Sequence, residues 1–275
     1  MNKPTHNIDN NEYHRGELGH LLSSSDMKVL YRKSGAHLEV KKSQVNHETP
    51  LMALGTAFHS LMLEPKSFDD EYVIQPEFEV TEVDKKTGEI KAKTSGWKRT
   101  NDYKDQLSAF QKKNAGLKIL TEDEMSQLLS MRASMGKSSM FKEYFVDAKG
   151  HNEATYVDGR FKVRCDRICE VDGKTIIIDI KTTDDATPEG FKKKLHQMDY
   201  DLSAVMYSDI AKADDFIWVV QEREAPFACC WYKISDWIYK VGRGKLNKAH
   251  KALEQQELPM GGFSGHQAEY EITEL

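Results

Sequence analysis

The stretch that decides the fold covers residues 160–183 and reads RFKVRCDRICEVDGKTIIIDIKTT. Its second half carries consecutive isoleucines at 176–178, and such a β-branched run favours a strand that is buried on both faces. The Asp-Gly pair at 172–173 separates this half from the first, and Asp-Gly between two apolar stretches is a strong signal for a tight hairpin. The stretch therefore predicts two antiparallel strands inside a sheet.

Charged residues within this hairpin are candidates for chemistry. Asp179 and Lys181 lie two residues apart on the second strand, so their side chains leave the same face. Asp166 lies on the first strand, and the hairpin can bring it beside Asp179, where a divalent cation would relieve the repulsion between the carboxylates. The residues leave two interpretations open, which are a metal site and a buried ion pair between Asp179 and Lys181.

The pattern around this hairpin predicts one sheet flanked by helices. A second Asp-Gly pair, at 158–159, joins another strand to the hairpin. The predicted strands cover 71–74, 152–157, 160–171, 175–181, 216–221 and 227–234, and the predicted helices cover 26–32, 50–64, 101–114, 122–135, 138–145, 188–197, 200–213 and 235–255. This order indicates an α+β or mixed α/β fold, with an antiparallel β-meander and the sheet in the second half of the chain.

Length and composition indicate a globular protein. The chain has 275 residues, of which 39% are hydrophobic and 30% are charged, and this length allows one large domain or two small ones. No apolar run approaches the ~20 residues that a membrane helix needs, and the polar residues 1–15 lack the apolar core of a secretory signal. We therefore expect a cytoplasmic protein that contacts no membrane.

The domain organisation follows from these patterns. We expect a single domain over residues 21–260, between a flexible N-terminal segment at 1–20 and a C-terminal tail at 261–275. Inside the domain, a helical part at 21–150 precedes a sheet core at 151–235 and a basic helix at 235–255. Residues 75–100 carry few large apolar side chains and predict an exposed excursion.

Charge is unevenly distributed along the chain. The formal net charge is −5, but residues 85–118 carry ten Lys or Arg against three acids, and residues 233–251 carry six against one. Each stretch alone is explained by an ordinary solvated helix face, whereas together they favour a basic surface for nucleic acid. The candidate contacts are Lys98, Arg99, Arg164 and Lys245, with the aromatic residues Trp97, Tyr103 and Trp237 nearby in sequence.

A histidine in the first half of the chain is a further candidate ligand. His59 lies one turn after Gly55 on the helix that Thr49-Pro50 begins. A glycine inside a helix costs roughly 1 kcal/mol relative to alanine, which is understandable where another part of the chain approaches closely. The alternative is an ordinary, partly buried histidine without a ligand role.

Several separated motifs together resemble one family. They are Tyr13-His14, the serine-rich stretch at 23–28, Gly55-Thr-Ala-Phe-His59 running into Leu63-Glu-Pro65, Arg164-Cys-Asp-Arg167, Ile178-Asp-Ile-Lys-Thr-Thr183, and Tyr200 followed by Tyr207-Ser-Asp209. In this order they resemble the nuclease domain of exonuclease VIII (RecE), a PD-(D/E)XK nuclease related to the RecB and lambda-type exonucleases. The match covers roughly residues 13–235.

This resemblance implies a restriction-endonuclease-like PD-(D/E)XK core, a central mixed sheet flanked by helices, with a metal site in it. By resemblance, His59, Asp166 and Asp179 bind Mg²⁺, for which Mn²⁺ can substitute. The backbone carbonyl of Ile180 is a further ligand, and Lys181 is the catalytic lysine. Supporting positions are Glu153, Ser203 and Tyr207. Some relatives also hold an iron–sulfur cluster through a cysteine that precedes the core. Because no cysteine precedes Cys165, we expect no such cluster here.

The resemblance also implies a substrate and partners. The substrate is linear double-stranded DNA, degraded 5′ to 3′ to leave 3′ single strands for recombination. Partners are a single-strand annealing protein, in a phage or prophage setting within a bacterial host, and further copies of the chain in a ring of three or four.

One residue departs from the family pattern. Ser203 stands where the family carries the glutamine of a Gln-x-x-x-Tyr motif, and a hydroxyl neither reaches nor donates as an amide does. The alternatives are therefore a structure-specific or restriction-type endonuclease on the same core, and a catalytically silent relative that binds DNA.

Overall fold

A computed structural model describes residue 8 and residues 10–14, 16–44, 48–83, 90–92 and 96–256. Its helices are α1 (Asn10–His14), α2 (Ser24–Arg32), α3 (Gly35–Ser43), α4 (Pro50–Leu63), α5 (Pro65–Glu71), α6 (Asn101–Lys113), α7 (Glu122–Gly136), α8 (Ser139–Phe141), α9 (Pro188–Gln197), α10 (Tyr200–Ala211) and α11 (Asp236–Gln256). Its strands are β1 (Tyr72–Ile74), β2 (Thr81–Val83), β3 (Ile90–Ala92), β4 (Lys118–Leu120), β5 (Lys149–Asp158), β6 (Phe161–Val171), β7 (Lys174–Thr183), β8 (Asp215–Glu222) and β9 (Cys229–Lys233). A 3₁₀ turn (Trp97–Arg99) and a π-helix (Lys142–Asp147) complete the described elements.

A five-stranded mixed sheet forms the centre of the fold, in the order β5-β6-β7-β8-β9. Neighbouring strands are antiparallel except β7 and β8, which are parallel and are joined through α9 and α10. The hairpin between β6 and β7 turns at Asp172 and Gly173, which both have positive φ, at 51° and 74°. These are the left-handed conformations that an Asp-Gly hairpin turn supplies. The predicted meander and mixed sheet are thus confirmed.

Helices cover both faces of this sheet, so its central strands are buried. On one face, Ile177 of β7 and Trp218 of β8 pack with α2, α9, α10 and α11. On the other face, the neighbouring Ile178 and Val219 pack with α4 and α7. Because successive side chains of a strand alternate between faces, the isoleucine run serves both cores at once.

Short elements differ from the expectation. The sequence analysis did not identify α3, α5 or β4, which are short segments without a clear apolar period. The helix expected at 138–145 is divided, since three residues of α8 pass into the π-helix. Arg167 explains the second part, because its guanidinium donates hydrogen bonds to the carbonyls of Tyr144 and Ala148 around that turn.

The N-terminal segment was expected to be flexible, but its described part packs on the sheet. Tyr13 of α1 is only 6% exposed, and the buried Lys162 of β6 donates hydrogen bonds to the carbonyls of Tyr13 and Leu18. An ammonium inside a protein needs such acceptors, and the chain before α2 provides them. The expected tail at 261–275 and parts of the 75–100 excursion and the basic stretch at 85–118 lie outside the described residues.

None of the helices in the described ranges combines the length and the apolar character that crossing a membrane requires.

Candidate functional site

The candidate site lies where β6 and β7 separate. Their pairing runs from the hairpin turn as far as Arg167 opposite Ile178, whereas β7 stays paired with β8 up to Thr183. At the point of separation, Oδ2 of Asp166 accepts a hydrogen bond of 2.7 Å from the backbone N–H of Ile180. The carboxylate therefore replaces a strand partner, and this bond fixes Asp166 at the opening between the strands.

Glu153 lies beside Asp166 on β5, at a local break in the pairing with β6. The pairs Asn152–Arg167 and Ala154–Cys165 flank this position, and Glu153 itself has a φ of 49°, which is unusual for a residue other than glycine. The residues before and after Glu153 on β5 direct their side chains to opposite faces of the sheet. Ala154 and Cys165 join the core under α10, whereas Asn152 donates a 2.7 Å hydrogen bond to the carbonyl of Leu63 in α4, on the opposite layer.

Helix α4 brings His59 to the same opening. A Cβ added to Gly55 would lie 3.3 Å from Oγ1 of Thr182, so the absence of a side chain lets α4 lie close to β7, as the sequence suggested. Nδ1 of His59 is 3.8 Å from Oδ2 of Asp166. Ligand atoms of His59, Glu153 and Asp166 all lie within 4.8 Å of one another.

These three residues fit a divalent cation. Burial, and then the neighbouring Asp166, raise the pKa of Glu153 to about 8, because two carboxylates at close range oppose each other's ionisation. A cation between them would relieve this cost. Carboxylate oxygens with one imidazole form a mainly hard donor set, which suits Mg²⁺ or Mn²⁺.

Asp179 and Lys181 form an ion pair next to this group, with Nζ of Lys181 2.5 Å from Oδ2 of Asp179. Burial raises the pKa of Asp179, and although Lys181 opposes this effect, the nearby Asp166 adds to it. Burial alone lowers the pKa of Lys181, but Asp179 and Asp166 raise it above its ordinary value. The ammonium also lies 3.3 Å from the carbonyl of Ile180, one of the expected ligands. Both earlier interpretations therefore apply, since an ion pair lies beside a potential metal site.

The ligand set expected from the sequence needs one adjustment. The three donors that converge include Glu153, which was expected only to support the site, and do not include Asp179, whose carboxylate pairs with Lys181. The physical reason is the break in β5, which directs Glu153 toward Asp166. A ligand role for Asp179 and for the Ile180 carbonyl stays a prediction.

Tyrosines of α10 form the wall behind the ion pair. The ring centroid of Tyr200 is 5.3 Å from Nζ of Lys181. Burial raises the pKa of Tyr207 well above its ordinary value, with Tyr13, Asp179 and Asp166 among the further causes. Ser203 lies between them on α10 and is half-buried. Tyr200 was named from the sequence only as part of a family motif, whereas Tyr207 and Ser203 were given supporting roles; the place of Tyr200 beside Lys181 depends on the fold.

Two of the expected DNA contacts have other partners. Lys245 is 12% exposed, and its ammonium lies 2.8 Å from both Asp199 and Asp201. Its charge is balanced inside the protein by these two carboxylates, and its role as a DNA contact stays a prediction. Arg164 is also 12% exposed, with Nη1 3.7 Å from Glu153 and its guanidinium 4.2 Å from the ring centroid of Tyr13. It belongs to the buried wall of the site rather than to an open basic surface.

The other two expected contacts lie on the surface. Lys98 and Arg99 are exposed on the 3₁₀ turn before α6, and Nζ of Lys98 lies 5.2 Å from the ring centroid of Trp97. A cation beside an aromatic ring is a common element of nucleic-acid surfaces. Their role as DNA contacts stays a prediction.

Fold and site together define the class. A mixed sheet that opens at an aspartate, beside a strand bearing Asp-x-Lys and under a helix bearing histidine, is the PD-(D/E)XK arrangement. The chain belongs to the family described as PDDEXK-like domain of unknown function (DUF3799), whose model matches residues 23–260. The PD-(D/E)XK assignment made from the motifs is therefore confirmed.

One solved structure supports the same fold. The crystal structure of a protein from Eubacterium rectale, which bears the name "Putative exonuclease", has 12% sequence identity and a TM-score of 0.58, and the match covers 91% of this chain and 88% of that one. At this identity the match shows the fold alone. An alkaline exonuclease from Laribacter hongkongensis has 11% identity over 57% of this chain and 82% of that one, with a TM-score of 0.32, and carries no argument here. A sequence search of curated proteins finds no match.

Proposed function

We propose that this protein is a metal-dependent deoxyribonuclease of the exonuclease type. The observation that carries the proposal is the convergence of His59, Glu153 and Asp166 within 4.8 Å, next to the 2.5 Å ion pair of Asp179 and Lys181. Two carboxylates and an imidazole offer a place for a divalent cation, and a lysine beside it offers a fixed positive charge. Both groups can stabilise the negative charge that develops when a phosphodiester is hydrolysed.

In this proposal each residue of the site has a distinct task. His59, Glu153 and Asp166 would hold the cation, with Asp179 as a further ligand. A bound Mg²⁺ or Mn²⁺ would supply activation of a water and charge compensation at the phosphate. Lys181 would orient the attacking water or stabilise the charge that develops on the phosphate oxygens. The hydrogen bond from Ile180 to Asp166 keeps the first carboxylate in place.

We propose linear double-stranded DNA as the substrate. The motif resemblance to exonuclease VIII supports this choice, and the name of the structural neighbour from Eubacterium rectale agrees with an exonuclease. By the same resemblance we propose 5′-to-3′ degradation that leaves 3′ single strands for recombination. A single-strand annealing protein then acts on the product, and several copies of the chain enclose the duplex as a ring.

End-labelled DNA tests this proposal. A linear duplex labelled at the 5′ or the 3′ end is incubated with the protein in Mg²⁺, in Mn²⁺ and in EDTA. We expect metal-dependent release of nucleotides, with the 5′ label lost first. Lys181→Met is expected to lower kcat by roughly 10²–10³-fold, the loss typical for removing one group that stabilises transition-state charge. Lys174→Met, on the same strand but with a 61% exposed side chain, is the matched control and is expected to keep full activity.

Three outcomes would contradict parts of the proposal. Cleavage of a covalently closed circle would indicate an endonuclease. Binding of DNA without cleavage in either metal would indicate a silent relative. Equal activity of wild type and Lys181→Met would remove the assigned role of the lysine, even if nuclease activity were present.

A further inference from the structure

A second lysine approaches the candidate site from the opposite layer. Lys28 is half-buried on α2, and its ammonium lies 5.3 Å from the ring centroid of Tyr200. The ammonium of Lys181 lies at the same distance from the same ring. The ring of Tyr200 therefore contacts two ammonium groups, one from Lys181 on β7 and one from Lys28 on α2.

Lys28 has no counter-ion among the described residues, because no carboxylate there lies within ion-pair distance of its ammonium. The acids of this region are engaged elsewhere. Asp179 pairs with Lys181, and Asp199 and Asp201 both bind Lys245.

Three carboxylates act on Lys28 only from beyond ion-pair distance. Asp179, Asp199 and Asp201 each raise its pKa, but none of them forms an ion pair with its ammonium. Burial, and then the neighbouring Lys181, lower the pKa of Lys28 to about 8, so the ammonium stays largely charged at neutral pH. An unpaired ammonium in a half-buried position is unfavourable unless an anion joins it.

We infer that Lys28 binds a phosphate of the DNA strand, next to the phosphate that is cleaved. An ammonium on a flexible stem is a good partner for phosphate oxygens, and its bond to an anion is a strong, charge-assisted one. Lys28 shares the ring of Tyr200 with Lys181, so a strand whose reacting phosphate lies at Lys181 can bring a neighbouring phosphate to Lys28. This inference rests on the proposed function, since it needs DNA as the ligand.

The test measures DNA binding rather than cleavage. A short fluorescent duplex is titrated with wild type, Lys28→Gln and Lys28→Arg in EDTA at several salt concentrations. Lys28→Gln is expected to bind about tenfold more weakly, with the slope of log K against log salt reduced by about 0.9. Lys28→Arg keeps the charge and is expected to bind nearly as well as wild type. Lys33→Gln, an exposed lysine at the end of the same helix, is the control and is expected to change neither quantity.

Thermal unfolding separates a binding role from a structural one. Removal of an unpaired ammonium beside Lys181 is expected to leave the melting temperature of Lys28→Gln unchanged or higher. If instead this variant melts earlier and binds DNA as wild type does, Lys28 is a structural residue and the inference is wrong. Failure of wild type to bind the duplex would also overturn it.

The two proposals fail in different ways. If wild type binds DNA through Lys28 but cleaves nothing in Mg²⁺ or Mn²⁺, the nuclease proposal is wrong and the phosphate contact stands. If wild type cleaves DNA and Lys28→Gln binds with unchanged affinity and salt slope, only the inference about Lys28 is wrong. Steady-state rates give a further check, since loss of a binding contact raises KM and leaves kcat nearly unchanged.

Discussion

The change of Glu153 to glutamine is expected to stabilise the metal-free protein at neutral pH and to weaken its metal binding. The side chain is 22% exposed and lies beside Asp166. In the absence of a cation, burial and Asp166 disfavour the ionised form of Glu153, so folding at neutral pH requires this carboxylate to take up a proton. Glutamine keeps the size of the side chain and removes the charge, together with the carboxylate that the cation needs.

The magnitude follows from the pKa of Glu153. Burial and the neighbouring Asp166 raise this pKa from 4.5 to about 8 in the folded protein. A raised pKa means that the contribution of the group to stability is complete below about pH 4.5 and is lost as the pH rises through about 8. Each unit corresponds to ~1.4 kcal/mol. The shift of Glu153, which is largely ionised in the unfolded chain and largely protonated in the folded one near pH 7.5, therefore costs on the order of 4 kcal/mol at that pH and under about 1 kcal/mol near pH 5.

The assay is urea unfolding in EDTA at both pH values, followed by the same measurement with Mn²⁺. Glu153→Gln is expected to be more stable than wild type near pH 7.5 and nearly equal near pH 5. Glu153→Gly serves as a second variant. Because glycine also accepts the φ of 49°, we expect its free energy of unfolding to exceed that of Glu153→Gln by about 1 kcal/mol. Mn²⁺ is expected to stabilise wild type more than either variant. Equal stability of wild type and Glu153→Gln near pH 7.5 would refute the reasoning.

Two further substitutions test the packing that positions the site. Lys245→Met leaves Asp199, just before α10, and Asp201, in its first turn, without their shared cation and is expected to destabilise the protein by ~3–5 kcal/mol in urea unfolding. Lys240→Met, on the exposed side of the same helix as Lys245, should change little, and a stable Lys245→Met would contradict this ion-pair assignment. Gly242→Ala places a Cβ 2.4 Å from a backbone oxygen of α10 and is expected to lower the melting temperature by the equivalent of ~1–3 kcal/mol. Gly244→Ala, where a Cβ meets nothing within 4 Å, should instead raise it, and equal effects at both positions would exclude close helix contact as the cause.

The sheet could be predicted because its signals are local. The two Asp-Gly turns and the isoleucine run specify the hairpins and the buried strand within a few residues. Helices α9 and α11 were expected within one or two residues of their observed bounds, 188–197 and 236–256. The short segments α3 and β4 were missed because their position depends on contacts with distant parts of the chain rather than on their own periodicity.

The site could be predicted only in part. The spacing of Asp179 and Lys181 on a buried strand has a local signature, the hairpin indicated Asp166, and the glycine before His59 marked the histidine helix; the motif resemblance then gave these residues their roles. The left-handed backbone of Glu153 has no such signature, because glutamate rarely adopts it. The partners of Lys245 are equally invisible in sequence, since a basic helix has the same pattern whether its lysines face solvent or buried carboxylates.

Binding of Mn²⁺ to the metal-free protein tests the central claim most directly. The claim is that Asp166, with His59 and Glu153, holds a divalent cation. Isothermal titration is carried out on wild type, on Asp166→Asn and on Asp158→Asn, an exposed aspartate at the end of β5. We expect wild type and Asp158→Asn to bind Mn²⁺ with equal affinity and Asp166→Asn to bind at least about tenfold more weakly. Equal binding by all three proteins would contradict the claim.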